Sequence, residues 1–277
     1  MKMLKNLLVA TGLGLAAIGT AVTVNAAGSS EGHADAMKHM DWSFNGPFGQ
    51  YDRDAAQRGY QVYKEVCSSC HALDQLAFRH LGDKGAPFFN ADFPNPNDNP
   101  LVKGFAADWD VPDVDSDDGS AMTRTGIPAD NFPPIYENEI AAANANGKAP
   151  PDLSLIVKAR NGGADYVYSL LLGYDHEAPA EIAESMGAGS YYNPVMEGGV
   201  IAMPPQLQDG LLDYEGENAP AATKEQMAYD VTQFLAWSAD PKLEQRKRVG
   251  FGTMIYLFLL TILLYLSYRQ VWKNVKH

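Results

Sequence analysis

The chain has 277 residues, with 34 acidic against 21 basic side chains and a formal net charge of −13. So acidic a balance excludes nucleic acid as a partner and suits docking of a basic protein, whose approach long-range attraction would speed. Solubility alone would account for the acidity equally well.

Lys2 and Lys5 open the chain, an apolar run from about residue 7 to 24 follows, broken by Gly12, Gly14 and Gly19, and Val24-Asn25-Ala26 forms a small-residue cleavage site. Residues 1–26 therefore read as a secretory signal peptide cut after Ala26; an uncleaved anchor is the competing reading. Loss of Lys2 and Lys5 takes the net charge from −13 to −15. The stretch that follows, 27–245, is long enough for one well-cored domain or two small ones.

Residues 28–40 are a polar lead-in. The apolar spacing predicts an amphipathic helix over 54–66, with Ala55, Tyr60, Tyr63 and Val66 facing inward. Its last turn delivers Cys67-Ser68-Ser69-Cys70-His71, which holds both cysteines of the chain. C-x-x-C-H is the attachment pattern of a c-type haem: two thiols add across the haem vinyl groups, and the adjacent imidazole reaches the iron. A C-x-x-C disulfide that happens to precede a histidine is the alternative. Export agrees with haem, because c-type haem is attached outside the cytoplasm.

Residues 79–99 are rich in Gly, Pro, Asn and Asp and read as loop. Asp108, Asp110, Asp113, Asp115, Asp117 and Asp118 form an acidic run, expected to be a mobile surface loop. The pattern lacks the glycine and distal glutamate of an EF-hand, which argues against calcium. An alanine-rich helix is predicted over 135–146, ended by Gly147. After Pro150-Pro151, a short helix over 153–160 is expected with Asp152 or Ser154 as its cap. A third helix should run from a cap at Asp165 to Leu172, closed by Gly173. Residues 177–200 are glycine-rich and irregular. Thr223 and Gln226 form a capping box for a helix over 223–237, with Val231, Phe234, Leu235 and Ser238 on one packed stripe.

Strand signal is weak throughout. Val249 to Tyr268 is uncharged for 20 residues, long enough to cross a bilayer as a helix; a buried core helix is the competing reading. Arg246, Lys247 and Arg248 precede this run, and Arg269, Lys273 and Lys276 follow it, so flanking charge leaves the orientation open. The export signal sets it instead: the bulk outside and residues 271–277 inside, with 246–270 as the anchor.

His71 supplies one axial position to haem iron, and the other falls to Met, His, Lys or an exchangeable ligand. His33 and His39 lie in the lead-in and His277 beyond the apolar run. The methionine candidates are Met122, Met186, Met196, Met203 and Met227. Met203 leads them. It sits in Val200-Ile201-Ala202-Met203-Pro204-Pro205, where small neighbours allow close approach to a haem face and the prolines stiffen the loop. Met196, His80 and His176 remain alternatives, and Met203 would otherwise be a core residue.

Further blocks accompany the motif. They are Arg58-Gly59-Tyr60-Gln61-Val62-Tyr63 before it, Pro150-Pro151-Asp152-Leu153-Ser154, Lys158-Ala159-Arg160-Asn161-Gly162-Gly163, Asp165 to Leu171, Tyr191-Tyr192-Asn193-Pro194 and Ala202-Met203-Pro204-Pro205. A helix ending in Trp237, Asp240 and Pro241, a basic cluster and one apolar span complete the set. In this order the chain resembles the bacterial cytochrome c1 family, the haem subunits of quinol–cytochrome c reductases (bc1 complexes).

The resemblance implies a mostly α, cytochrome c-like haem domain with long loops, plus one C-terminal transmembrane helix. It implies one haem c held covalently at Cys67 and Cys70, with His71 and Met203 axial. Arg160 matches a position that contacts a haem propionate, and Tyr166, Asn146, Pro150 and Pro151 match haem-pocket positions. It further implies a place in the bacterial inner membrane with the haem domain periplasmic. The implied partners are cytochrome b, a Rieske iron–sulfur protein, a periplasmic cytochrome c and membrane lipid, within a dimeric complex. Certain bacterial relatives carry an extra cysteine pair near the axial methionine; this chain has none. The stretch 91–131 follows the family poorly. The rival readings are a free-standing membrane-anchored cytochrome c or a subunit of another redox complex, and a tethered thiol–disulfide oxidoreductase. The last would need a βαβ framework, which the pattern lacks.

Overall fold

The structure, a computed structural model, describes residues 36–216 and 219–275. The signal-peptide reading, His33 and His277 lie outside the described residues. The described chain is mostly helical, with two small two-stranded sheets.

Helix α1 (Arg53–Glu65) starts from Asp52, whose side chain accepts a hydrogen bond from the Ala55 N–H. Ala55, Tyr60 and Tyr63 are buried and Val66 partly so, as the spacing requires. Helix α2 (Pro100–Ala107) falls where no helix was expected. Its signals are Asn99, which caps the Leu101 N–H, and Pro100 at the first position.

Strands β1 (Asp110–Val114) and β2 (Ala121–Thr125) pair antiparallel, with Asp110 opposite Thr125 and Val114 opposite Ala121. The acidic run is thus partly strand, at Asp110 and Asp113, while Asp115, Asp117 and Asp118 lie in the hairpin turn as the loop expectation had them. Arg124 explains it: the guanidinium bonds Asp113 at 2.7 Å and grips Asp130 at 2.6 and 2.8 Å. Asp108 pairs with Lys64. Among the described residues no cluster of three or more His, Cys, Asp or Glu is arranged to hold a metal ion.

Helix α3 (Glu139–Asn146) begins four residues later than expected, because Asn138 caps it through the Ala141 N–H. Gly147 ends it in the left-handed region. Helix α4 (Ile156–Ala159) is shorter than the expected 153–160, and neither Asp152 nor Ser154 caps it. Those side chains instead accept from the backbone of Asp74 and Gln75, tying this segment to the chain just after the motif. Helix α5 (Gly163–Leu172) is entered through Gly162 at φ 88°. Asp165 lies in the first turn of this helix and does not cap it. Its carboxylate gathers the lead-in by accepting from the Met40 N–H, the Trp42 indole and His39. Those bonds hold its carboxyl below the usual range against the opposing effect of burial. A short helix α6 (Ala180–Ala183) and strands β3 (Tyr191–Tyr192) and β4 (Val200–Ile201) punctuate the irregular stretch.

Helix α7 (Lys224–Ala239) is the centre of the molecule. Thr223 accepts from the Gln226 N–H, but the Gln226 amide turns to Asp230, so only half of the expected capping box forms. Burial extends well beyond one stripe: every residue from Val231 to Ala239 is buried. Helix α8 (Leu243–Val271) follows after three residues, its apolar side chains exposed, long enough and apolar enough to cross a membrane. Its junction with the head is densely bonded. Asp240 pairs with Lys158 and Arg246, Lys242 with Asp83, and Glu244 with Arg53, while the Tyr51 hydroxyl donates to the carbonyls of Ala236 and Asp240.

The most extensive helix contact is α1 on α7. At its crossing, a Cβ on Gly59 would fall inside the Asp230 carbonyl and 2.8 Å from the Phe234 Cβ. Beside it Arg58 forks onto the fully buried Asp230 carboxylate at 2.8 and 2.9 Å. Tyr60, Tyr63, Phe105, Phe132 and Phe234 pack around this crossing. Gly59→Ala is expected to force the two helices apart and to cost about 3 kcal/mol or more. A thermal unfolding midpoint equal to that of the unaltered protein would contradict this.

Candidate functional site

A cavity of about 490 Å³ opens between the motif turn, residues 145–151, helices α4 and α5, the 196–207 segment and α7. It is lined by Cys67, Cys70, His71, Asn146, Pro150, Pro151, Arg160, Tyr166 and Met203, so every expected pocket residue meets in one place. Its walls are largely aliphatic, including Ile156, Val167, Leu170, Leu207, Val231 and Leu235.

The motif forms a 3-10 turn directly after α1, with the His71 N–H bonded to the Cys67 carbonyl. Both thiols are free and line the cavity. Burial, and then the neighbouring Cys70, push the Cys67 thiol up to about 12. The Nδ1 of His71 lies 2.7 Å from the Pro151 carbonyl. A carbonyl only accepts, so Nδ1 carries the hydrogen and Nε2 keeps its lone pair. Burial lowers the pKa of His71 and favours this neutral, metal-binding form, although Pro151 and Asp152 oppose the shift.

Asn146 is held by Tyr136 and the Ala142 carbonyl through its amide nitrogen, and its oxygen faces the Cys70 sulfur at 3.6 Å. Arg160 follows α4 at the cavity wall, and among the described residues its guanidinium has no carboxylate partner. The Tyr166 hydroxyl contacts the Met196 sulfur at 3.6 Å. Burial raises the pKa of this phenol, and nearby Arg160 partly offsets the rise.

Met203 and Met196 are the methionines of the cavity; His80 and His176 do not line it. His80 accepts from the Ala77 N–H in its own turn. Met227 is buried in the core and Met122 is exposed on β2. His39 is bound to Asp165. A bare metal ion would need several protein donors at once. This cavity offers an imidazole, two thioethers, two thiols and a roomy apolar space. That donor set fits a metal already held in a large flat macrocycle.

The Cytochrome C1 family model matches residues 42–275. Cytochrome c1 of Rhodospirillum rubrum is 41% identical, across 99% of this chain and 98% of that protein. The chain belongs to the cytochrome c1 family. The mitochondrial "Cytochrome c1, heme protein" of Saccharomyces cerevisiae is 44% identical over 85% of this chain and 72% of its own length. "Cytochrome b/c1" of Bradyrhizobium diazoefficiens is 41% identical over 84% of this chain, which spans 35% of that longer protein.

Among the polar contacts of these cytochrome c1-family pocket residues that the sequence did not signal, one holds the Met203 backbone. The Tyr174 hydroxyl donates to the Met203 carbonyl at 2.9 Å. It joins residues 29 apart in irregular chain, where no periodicity could mark it.

Gly162 sets the angle at which α5 enters the cavity wall. At φ 88° an added Cβ would be strained and would lie 2.7 Å from the Met37 sulfur. Gly162→Ala is expected to destabilise by about 1–3 kcal/mol. Gly187→Ala, with nothing within 4 Å, should leave the unfolding midpoint unchanged. Equal midpoints for the two variants would count against this account of α5.

Proposed function

We propose that this chain carries one covalent haem c and passes electrons within a quinol–cytochrome c reductase, from a Rieske iron–sulfur protein to a periplasmic cytochrome c. The observation that carries this reading is the meeting of the C-x-x-C-H turn and Met203 on one apolar cavity. When bound, the haem supplies reversible one-electron transfer through its iron.

The residues of the chain do the rest. Cys67 and Cys70 give thioether attachment. His71 offers Nε2 because Pro151 occupies Nδ1. Met203 offers a soft thioether, which favours ferrous iron and raises the potential relative to two histidines. Arg160, lacking a carboxylate partner among the described residues, is available to a propionate as a charge-assisted donor. Tyr166, Asn146, Pro150 and Pro151 close the pocket walls and keep water from most of the macrocycle.

The name of the Bradyrhizobium relative joins b and c1 in one protein, which supports cytochrome b as a neighbour. The apolar helix α8 supports a single-pass anchor, and the export signal expected at residues 1–26 favours a head in the periplasm and a C-terminus in the cytoplasm of a bacterial inner membrane. On the head, Asp117 and Asp118 are exposed in the hairpin turn and Asp110 is exposed at the far end of β1, and these carboxylates suit a basic acceptor.

A reduced-minus-oxidised spectrum of the protein, purified from membranes in mild detergent, should show b-type and c-type signals together. A c-type signal alone would favour a free-standing carrier. Met203→Leu should lower the midpoint potential by roughly 0.1 V or more and let carbon monoxide bind. An unchanged potential would remove Met203 as ligand. Changing Asp110, Asp117 and Asp118 to Asn should flatten the salt dependence of cytochrome c reduction, and an unaltered dependence would reject this surface as the docking site.

A further inference from the structure

The Met203 segment has little backbone support of its own. Strand β4 ends at Ile201 after two pairings, Tyr191 with Ile201 and Tyr192 with Val200. Beyond it come Pro204 and Pro205, which have no N–H to donate. The Gln206 amide bonds only locally, to the Pro204 carbonyl. The only two cysteines of the chain are in the C-x-x-C-H motif, so no disulfide holds this segment. A thioether is a weak iron ligand, and its persistence depends on the backbone that presents it.

Tyr174 meets that need. It lies in a 3-10 turn, Gly173–Asp175, that continues from α5. The turn is fixed on two sides. Asp175 accepts from the Lys224 ammonium at 2.6 Å, which ties it to the start of α7. On the other side buried Asn193 donates to the Leu170 carbonyl at 2.8 Å and lies so close to Gly173 that a Cβ there would overlap its side-chain oxygen. The Asn193 N–H bonds the Gly199 carbonyl just before β4, so the same residue ties α5 to the strand that leads to Met203. From this fixed turn the Tyr174 hydroxyl reaches the Met203 carbonyl at 2.9 Å.

We propose that Tyr174 is a positioning residue for the axial methionine: its hydroxyl, held by the α5 turn, pins the Met203 backbone and keeps the thioether over the haem pocket in place of a cross-link. This rests on the reading of Met203 as iron ligand. The contact is to the Met203 backbone, so Tyr174 acts on the chance that the thioether leaves the iron without contacting the sulfur itself.

The test is Tyr174→Phe in the full-length, membrane-extracted protein, with Met203→Leu alongside. The phenylalanine keeps the ring and removes the donor. Loss of one such hydrogen bond should raise the population with the methionine released about two- to tenfold. The weak far-red band of thioether-ligated ferric haem should then vanish at a pH lower by about 0.3 to 1 unit. Carbon monoxide should bind the reduced protein faster by a similar factor, while haem content stays unchanged. An unchanged band midpoint and carbon monoxide rate would overturn the proposal. If Met203→Leu retained the band, the ligand assignment itself would fall; if only Tyr174→Phe were silent, the assignment would stand and the tether would fall.

A second measurement needs no variant. Met203-Pro204 is the only Met–Pro step in the chain, so carbonyl-labelled methionine with nitrogen-labelled proline isolates its resonance in the reduced protein. A carbonyl that accepts from an exchangeable hydroxyl shifts when water is replaced by deuterium oxide. Absence of that shift would also overturn the proposal.

Discussion

The close approach of α1 to α7 governs this structure. It exists because residue 59 has no side chain, so one backbone can lie against the Asp230 carbonyl of the other helix. Burial of a carboxylate at such a crossing would be costly if it stood alone, and Arg58 offsets that cost with two charge-assisted bonds. Both ends of this contact reach the cavity. Helix α1 runs directly into the C-x-x-C-H turn, and Val231 and Leu235 on α7 line the pocket. The position of the motif is therefore inherited from a helix crossing, and the loops need only complete the walls.

The loops that complete the pocket are held mainly by polar side chains. Asp152 and Ser154 accept backbone N–H groups from the chain after the motif, Asp165 gathers the lead-in, Asn193 locks the end of α5, and Asn146 is fixed beside Cys70. Such contacts satisfy backbone groups that irregular chain would otherwise leave unpaired, and they let a chain with little sheet enclose a large apolar space. A family whose cofactor supplies much of the core can tolerate this economy of regular structure.

Much of this was legible in the residues. The motif, the helix before it, the Thr223 cap and the uncharged C-terminal run follow local rules of spacing and capping, and local rules survive folding. That Met203 lies at the cavity was legible for a different reason: proline on one side and small residues on the other mark a stiff, close-approach segment. What could not be read were features decided by particular side-chain partners rather than by spacing. Arg124 turns an acidic run into a hairpin by binding Asp113 and Asp130, and composition alone reads that run as loop. Asp165 looks like a cap, yet its ligands lie more than a hundred residues earlier. Tyr174 carries no periodic signal at all. Helix α2 was the one element whose signs, Asn99 and Pro100, were present and unused.

The bonded junction between α7 and α8 has a consequence for movement. With Asp240, Lys242, Glu244 and Tyr51 all engaged there, the membrane helix acts as a mast fixed to the head. A head so mounted would be joined to its anchor by ion pairs and a buried hydroxyl rather than by a slack linker, and Asp240, Lys242 and Glu244 would have to give up their partners before the cavity could tilt relative to that helix.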